Sequence, residues 1–322
     1  MKSSVFFSKD IIGIEVNKKK ETLKLGEVLL IENIRFHNEE KPPENIEEYE
    51  KNNLFAKELA QHMDFFINEA FSCSHRSNTS MVLLPKHFPN KKLAGLLLEK
   101  EIKHLTKIKN NPSKPFTSII GGAKISSKIK LIEKLLIICD NIIVGGAMAH
   151  TFILALKGKI GSSFYEPNQL SEAKKILEKA KEYNCKIYLP VDCITTKEMI
   201  RGAPTNIRKI TNIPHNEMGV DIGPESLDLF KDIINISKTI LWNGPMGVFE
   251  IPSYSTGTKK IAQYIHATTK LGAYSIIGGG DSVSAINSFN QNFAFSYLST
   301  GGGAMLEFFE TDTLPGIVAL TD

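Results

Sequence analysis

The sequence predicts an α/β protein of two lobes, each with a parallel sheet flanked by helices, the first lobe incomplete. Three observations carry this expectation. Short apolar, β-branched runs alternate with amphipathic helical stretches along most of the chain. Five of those runs stop at glycine, at positions 121, 145, 244, 278 and 301. With 322 residues, 42% of them apolar, the chain is long enough for two cores. Strands that all end in glycine are what a parallel sheet with ligand loops at its carboxyl edge requires.

Composition narrows the function classes. A net charge of +4, with lysines scattered among glutamates, gives no nucleic-acid surface but suits an anionic small substrate. Cys73, Cys139, Cys185 and Cys193 are far apart and form no C-x-x-C pair, so a reducing, cytoplasmic setting without structural disulfide or zinc is expected. No stretch reaches about 18 uninterrupted apolar residues and no export signal opens the chain, so no membrane partner is expected. The P-loop pattern, the G-x-G-x-x-G fingerprint, the serine elbow and H-E-x-x-H are all absent.

Taken in order, Val5-Phe6-Phe7 is a short strand, Leu25-Gly26-Glu27 a turn and Val28-Leu29-Leu30-Ile31 a fully apolar strand. Such a strand needs cover on both faces, yet fewer than about 30 residues precede it, which suggests absent neighbours. A helix follows over 47–63, then the strand Asp64–Ile67. The loop after it carries Cys73, Ser74, His75 and Arg76, a polar cluster that suits either ligand binding at a strand's end or a solvated loop with a surface ion pair. The spacing of Leu93, Leu96, Leu97, Ile102, Leu105 and Ile108 predicts a helix over 92–109, ended by Asn110-Asn111-Pro112. That proline sets the domain boundary: a first lobe over 1–109, a second over 110–300, and a glycine loop and tail over 301–322 packing back toward the first.

In the second lobe Phe116–Ile120 is a strand, followed by Gly121-Gly122-Ala123-Lys124-Ile125-Ser126-Ser127-Lys128, read as a turn and a helix start. Lys124 and Lys128, at i and i+4, would share one helical face, a placement that a polyanion relieves; two solvated lysines are the plain alternative. The strand Asn141–Val144 ends at Gly145-Gly146. After a helix over 169–183 and a strand over 186–190 comes a less regular region, and Gly219–Ser226 reads as a turn. Thr239–Trp242 is a strand ending in Asn243-Gly244-Pro245-Met246-Gly247-Val248-Phe249-Glu250. A helix over 256–269 leads to the run Ala273–Ile277, which stops at Gly278-Gly279-Gly280-Asp281-Ser282. Glycines there admit an anion to the backbone, free N–H groups of a following helix attract it, and Asp281 suits a hard cation. A capped tight turn is the plain alternative.

Together, the segments 30–36, 67–71 with His75-Arg76, 121–128, 221–224, 242–250, 278–282 and 299–304 resemble the phosphoglycerate kinase family, in the order that family has them. The resemblance implies two Rossmann-like lobes, the first holding 3-phosphoglycerate or 1,3-bisphosphoglycerate and the second ADP or ATP with Mg2+, joined by hinge closure in a monomer. It implies Arg35 and Arg76 as substrate-binding residues. Lys124, Lys128, Gly145, Gly146, Asn243, Glu250, Gly278, Gly279, Gly280, Asp281 and Ser282 match nucleotide-binding positions, Glu250 that of the ribose acid. Asp281 matches the magnesium-associated acid, acting indirectly or through the nucleotide. Arg35, Lys124, Lys128, Gly279 and Gly302 form the implied catalytic set.

The family's usual Asp-Phe-Asn-x-Pro and Ser-His-Leu-Gly-Arg-Pro motifs are absent. The expectation is therefore a family member missing roughly its first 80 residues, with an incomplete first lobe and little or no turnover. The alternative is a non-catalytic nucleotide-binding protein or a remnant. Smaller departures are Glu69, where aspartate is usual, and Ser72-Cys73-Ser74 before His75.

Overall fold

The computed structural model describes residues 3–311 and 313–321. It divides into two compact units, one formed by residues up to Ile102 together with the chain from Thr311, the other by Lys103–Glu310.

In the first unit β1 (Val5–Ser8) and β2 (Val28–Ile31) pair in parallel across α1 (Ile14–Thr22). After α2 (Ile46–Ala60), β3 (Phe66–Asn68) pairs in parallel with β4 (Lys92–Ala94), the short α3 (Thr79–Val82) lying between them in sequence. The expected single parallel sheet is thus two two-stranded ones. Ile11, Phe55 and Leu59 are buried together, with Ile31, Ile34 and Leu84 packed against them. The incomplete first lobe expected from the lone apolar strand is corrected in this respect: β2 has its partner in β1, and the unit closes on a core of its own. Outward-facing apolar residues remain, among them Phe6, Leu30 and Ile67.

The helix predicted over 92–109 also needs correction. Residues 92–94 satisfy their backbone in β4, and α4 runs Leu96–Asn110. Glu69 decides this start, because its carboxylate accepts the N–H groups of Leu97 (2.8 Å) and Leu98 (3.3 Å). A carboxylate there serves the exposed first-turn donors and the positive end of the helix. Gly95 makes room for it, since a Cβ would fall 1.9 Å from Glu69 Oε2. The reach of glutamate, a departure in the sequence, is what this capping uses.

The second unit is built on β5 (Phe116–Ile120), α5 (Ile129–Ile138), β6 (Asn141–Val144), α6 (Met148–Ala155), β7 (Lys159–Ile160), α7 (Leu170–Glu182) and β8 (Lys186–Tyr188). It continues with β9 (Asp192–Thr196), β10 (Asn206–Lys209), β11 (Asn212–Ile213), β12 (Met218–Ile222), α8 (Pro224–Ile236) and β13 (Thr239–Asn243). Last come α9 (Thr256–Lys270), β14 (Tyr274–Gly278), α10 (Gly280–Ser288), β15 (Tyr297–Leu298) and α11 (Gly302–Glu310). Six of these strands form one sheet in the order β15-β14-β13-β5-β6-β8, every pair parallel. All residues of β5, β6 and β13 are buried, as strands covered on both faces must be. Trp242 sits at the centre of one layer, with Phe230 of α8 and Ile261 of α9 in the same core.

The sheet grows from β5 toward β8 and then resumes on the other side of β5 with β13. Strand order therefore reverses between β5 and β13, and the loops leaving their carboxyl ends part there. That crevice is where open α/β sheets bind ligands.

Two local readings give way to long-range pairing. Residues 218–222, read in part as a turn, are the strand β12, antiparallel to β9. That side sheet, in the order β10-β9-β12, is pinned by Arg208, whose Nε and Nη2 donate to Glu217 at 3.0 and 2.9 Å. The guanidinium and the Thr195 hydroxyl hold the Glu217 carboxyl down to about 2. Lys124 and Lys128 do not share a helical face either, because α5 starts at Ile129. The backbone N–H and hydroxyl of Ser126 bind Glu166 at 3.0 and 2.6 Å, and this holds 124–128 as turns.

Among the described residues, no helix is long and apolar enough to cross a membrane.

Candidate nucleotide site

Four strands of the main sheet, β5, β6, β13 and β14, end at or directly before a glycine and β15 ends three residues before Gly301; their loops converge on two adjoining cavities of about 380 and 440 Å3. The smaller carries the lysines and an aspartate. Lys124, Lys128, Asn243, Gly279, Gly280, Asp281, Ser282 and Gly302 all line it. Lys128 spans the switch point: its Nζ donates to the Gly121 carbonyl after β5 (2.7 Å) and to Asn243 Oδ1 at the end of β13 (2.6 Å). Enclosure among these groups lowers its ammonium to about 8, while Asp281 acts in the opposite direction.

Gly279 has φ +106°, a conformation side chains rarely adopt, and it precedes the first turn of α10. The first i to i−4 bond of α10 runs from the Val283 N–H to the Gly279 carbonyl, so the N–H groups of Gly280, Asp281 and Ser282 have no acceptor within the helix. These donors and the positive helix end line the same cavity as both lysines. Gly302 comes so close that a Cβ would lie 2.9 Å from Gly279 Cα.

Two of the sequence candidates are engaged inside the protein. Asn243 is 5% exposed; besides accepting from Lys128 it donates to the Gly278 carbonyl at 2.8 Å, tying β13 to β14. Buried Ser282 accepts the Gly244 N–H on its Oγ at 2.7 Å. Both position the loops on which Lys128 and the α10 start depend. Gly145 and Gly278 serve packing, since a Cβ would run into Met246 Sδ and Met305 Sδ respectively. Gly146 lines the larger cavity, as do exposed Glu250 and the side chains of Phe164, Met246 and Val248.

In the first unit, Arg35 and Arg76 are exposed and both meet Cys73: Arg35 Nη2 lies 3.4 Å from its Sγ, and the Arg76 backbone N–H donates to its carbonyl at 2.9 Å. His75 beside them has a buried Nδ1 without a hydrogen-bond partner.

Sequence reasoning missed Glu166, which shapes the lysine turn from 40 residues away. It also missed the Trp242 indole, which donates to the Gly244 carbonyl at 2.8 Å. Glu166 sits in no periodic or glycine-rich pattern, and the run 242–250 marks Trp242 without stating what its indole meets. The lone tryptophan immediately before Asn243 was the one available signal for the second.

Comparison with known proteins supplies a family. The family model for phosphoglycerate kinase matches residues 1–312. The chain is 44% identical over 321 residues to a phosphoglycerate kinase of Thermosipho africanus, covering 99% of this chain and 77% of that protein. It is 42% identical over 315 residues to one from Dictyoglomus turgidum, covering 97% and 76%. Among solved structures it is similar to phosphoglycerate kinase from Coxiella burnetii, with TM-score 0.83, 39% identity and coverage of 93% and 74%. The corresponding values for phosphoglycerate kinase from Pyrococcus horikoshii are 0.84, 31%, 98% and 78%. The expectation of an N-terminally shortened member with an incomplete first lobe is corrected by the family model, whose match begins at residue 1 and takes in both units. The chain spans about three quarters of the relatives' own length.

Proposed function

The chain belongs to the phosphoglycerate kinase family, whose reaction moves a phosphoryl group reversibly between 1,3-bisphosphoglycerate with ADP and 3-phosphoglycerate with ATP, and from that premise we propose that the crevice between β5 and β13 seats the nucleotide. The observation that carries this is Lys128, a cation fixed across the switch point beside the unsatisfied N–H groups of α10. The phosphates lie against Lys124, Lys128 and the turn from Gly279 to Ser282, and Gly302 lets them approach the backbone. The base enters the larger, mainly apolar cavity past Gly146, and Glu250 accepts from the ribose hydroxyls. In the first unit Arg35 and Arg76 bind the phosphate and carboxylate of the triose substrate.

Among the described residues, no group of three or more His, Cys, Asp or Glu could cage a metal. One carboxylate, Asp281, lines the phosphate cavity. This donor set fits Mg2+ carried by nucleotide phosphates, because that ion keeps water and phosphate ligands and takes one or two carboxylates from protein. When bound, Mg2+ neutralises charge on the phosphate oxygens, with Asp281 as its protein partner.

An acyl phosphate is reactive enough to pass its phosphoryl group to ADP directly, so no side-chain nucleophile is needed. The residues have two tasks: to hold the reacting oxygens in line and to offset the charge on the transferring group. Lys128 does the second with an ammonium that is already desolvated and already aimed by Gly121 and Asn243.

The pH dependence of ADP binding tests this reading. Below about 8 Lys128 carries its proton and above it the amine is neutral, so ADP affinity measured by calorimetry is expected to fall as pH rises from about 8 to 10. In Lys128→Met the affinity is expected to be lower and flat over that range. No ADP binding by the native chain, or an affinity that rises with pH, contradicts it.

A further inference from the structure

Glu166 lines neither cavity, yet its carboxylate reaches the loop that carries both lysines. Oε2 accepts the Ser126 N–H at 3.0 Å and Oε1 the Ser126 hydroxyl at 2.6 Å, a two-point contact that fixes both the place and the tilt of that residue. Its own root is fixed as well. The Glu166 N–H donates to the fully buried Thr151 hydroxyl on α6 at 3.2 Å, and Pro167 confines Glu166 to the extended backbone it adopts. Burial works against charge on the carboxyl, but the Ser126 hydroxyl, the Ser126 and Ile125 N–H groups and the Lys124 ammonium outweigh it and hold the group below its usual range. Glu166 is thus an anion at neutral pH, tied to α6 on one side and to the lysine turn on the other.

The turn passes this hold on to Lys124. Ser126 stands midway between the two lysines, and the turn is closed by the Lys128 N–H on the Ile125 carbonyl at 2.8 Å and by the Ser127 hydroxyl on the Lys124 carbonyl at 3.0 Å. A shift of Ser126 therefore moves its neighbours with it. Lys128 has a second hold, its ammonium being bonded to Gly121 and Asn243. Lys124 is exposed, lines the phosphate cavity and stands in the field of the Glu166 carboxylate.

We infer that Glu166 is a positioning residue for phosphoryl transfer, acting through Ser126 and the turn to hold Lys124 at the phosphate cavity. It touches no substrate itself. This rests on the placing of Lys124 against the phosphates made above, and it gives the two lysines separate supports: Gly121 and Asn243 for Lys128, Glu166 for Lys124.

Steady-state kinetics on four proteins tests it: the native chain, Glu166→Ala, Lys124→Ala and the variant with both changes. Lys124→Ala is expected to lower kcat/KM roughly a hundredfold, as loss of one charge contact to the transferring group does. Glu166→Ala, which misplaces that charge without removing it, is expected to cost roughly tenfold, carried by kcat with KM for ADP changed less than about threefold. In the Lys124→Ala background, removing Glu166 is expected to cost less than about twofold, because a residue that acts through another has nothing left to act on. Losses that multiply in the double variant, a loss carried by KM, or no loss in Glu166→Ala would each overturn the role of Glu166. No loss in Lys124→Ala overturns the placing of Lys124, and the inference with it. Glu166→Gln keeps the length of the side chain and one acceptor, and the same cycle run with it decides the matter if Glu166→Ala does not fold.

Discussion

Lys128→Ala is expected to lower kcat/KM for phosphoryl transfer roughly a hundred- to a thousandfold, the range for removing one preorganised electrostatic contact from a transition state. The side chain is bonded on two sides, to Gly121 after β5 and to Asn243 at the end of β13. Its charge is therefore in place before substrate arrives and needs little rearrangement during transfer. Alanine removes the charge and leaves the Gly121 carbonyl and the Asn243 amide oxygen without that donor. Lys128→Arg is expected to recover little, because a planar fork cannot occupy the space of a compact ammonium between these groups. Gly244 gives the margin: a Cβ there would stand 2.8 Å from the Lys128 Nζ. Steady-state kinetics beside circular dichroism checks both variants. A loss below about tenfold in a folded Lys128→Ala would remove this lysine from the transition state.

Trp242→Ala is expected to destabilise the second unit by about 3–5 kcal/mol, the usual cost of emptying a large buried aromatic site. Trp242 is fully buried in a core with Ile119, Phe230, Ile261 and Ile277, all rigid neighbours on strands or helices that collapse little into a void. Its indole also donates to the Gly244 carbonyl. Gly244 has φ +90° and packs against the backbone of Gly121, so this bond links the core to the crevice loop. Trp242→Phe fills most of the volume but leaves that carbonyl without its donor, and is expected to cost about 1–3 kcal/mol. Denaturant titration followed by circular dichroism separates the two, and a loss for Trp242→Ala no larger than that for Trp242→Phe would contradict the packing account.

How much of this was legible in the sequence depended on range. β5 and β6 occupy the residues read as strands, because a buried parallel strand is a short apolar run and glycine marks its end. The order of strands was not legible. β13 pairs with β5 across more than a hundred residues of sequence, and no local pattern states that. Where local and distant forces competed, the distant partner decided. Ser126 obeys Glu166 rather than the helical spacing of the lysines, and Gly219 is small for His150 rather than for a turn. Lys92 to Ala94 join β3 despite a helical apolar pattern that begins at Leu93. Of the candidate site residues, the lysines, Gly279, Gly280, Asp281 and Gly302 meet at one cavity. Asn243 and Ser282 were identifiable by position but not by what their side chains hold, because buried polar contacts depend on neighbours brought by the fold.

The most direct measurement is a crystal structure of the chain with ADP and Mg2+. The expected result is a diphosphate within about 3 Å of Lys128 Nζ and of the backbone N–H groups at the start of α10, with the base in the larger cavity. A diphosphate bound elsewhere on the second unit, with Lys128 bonded only to Gly121 and Asn243, would contradict the account.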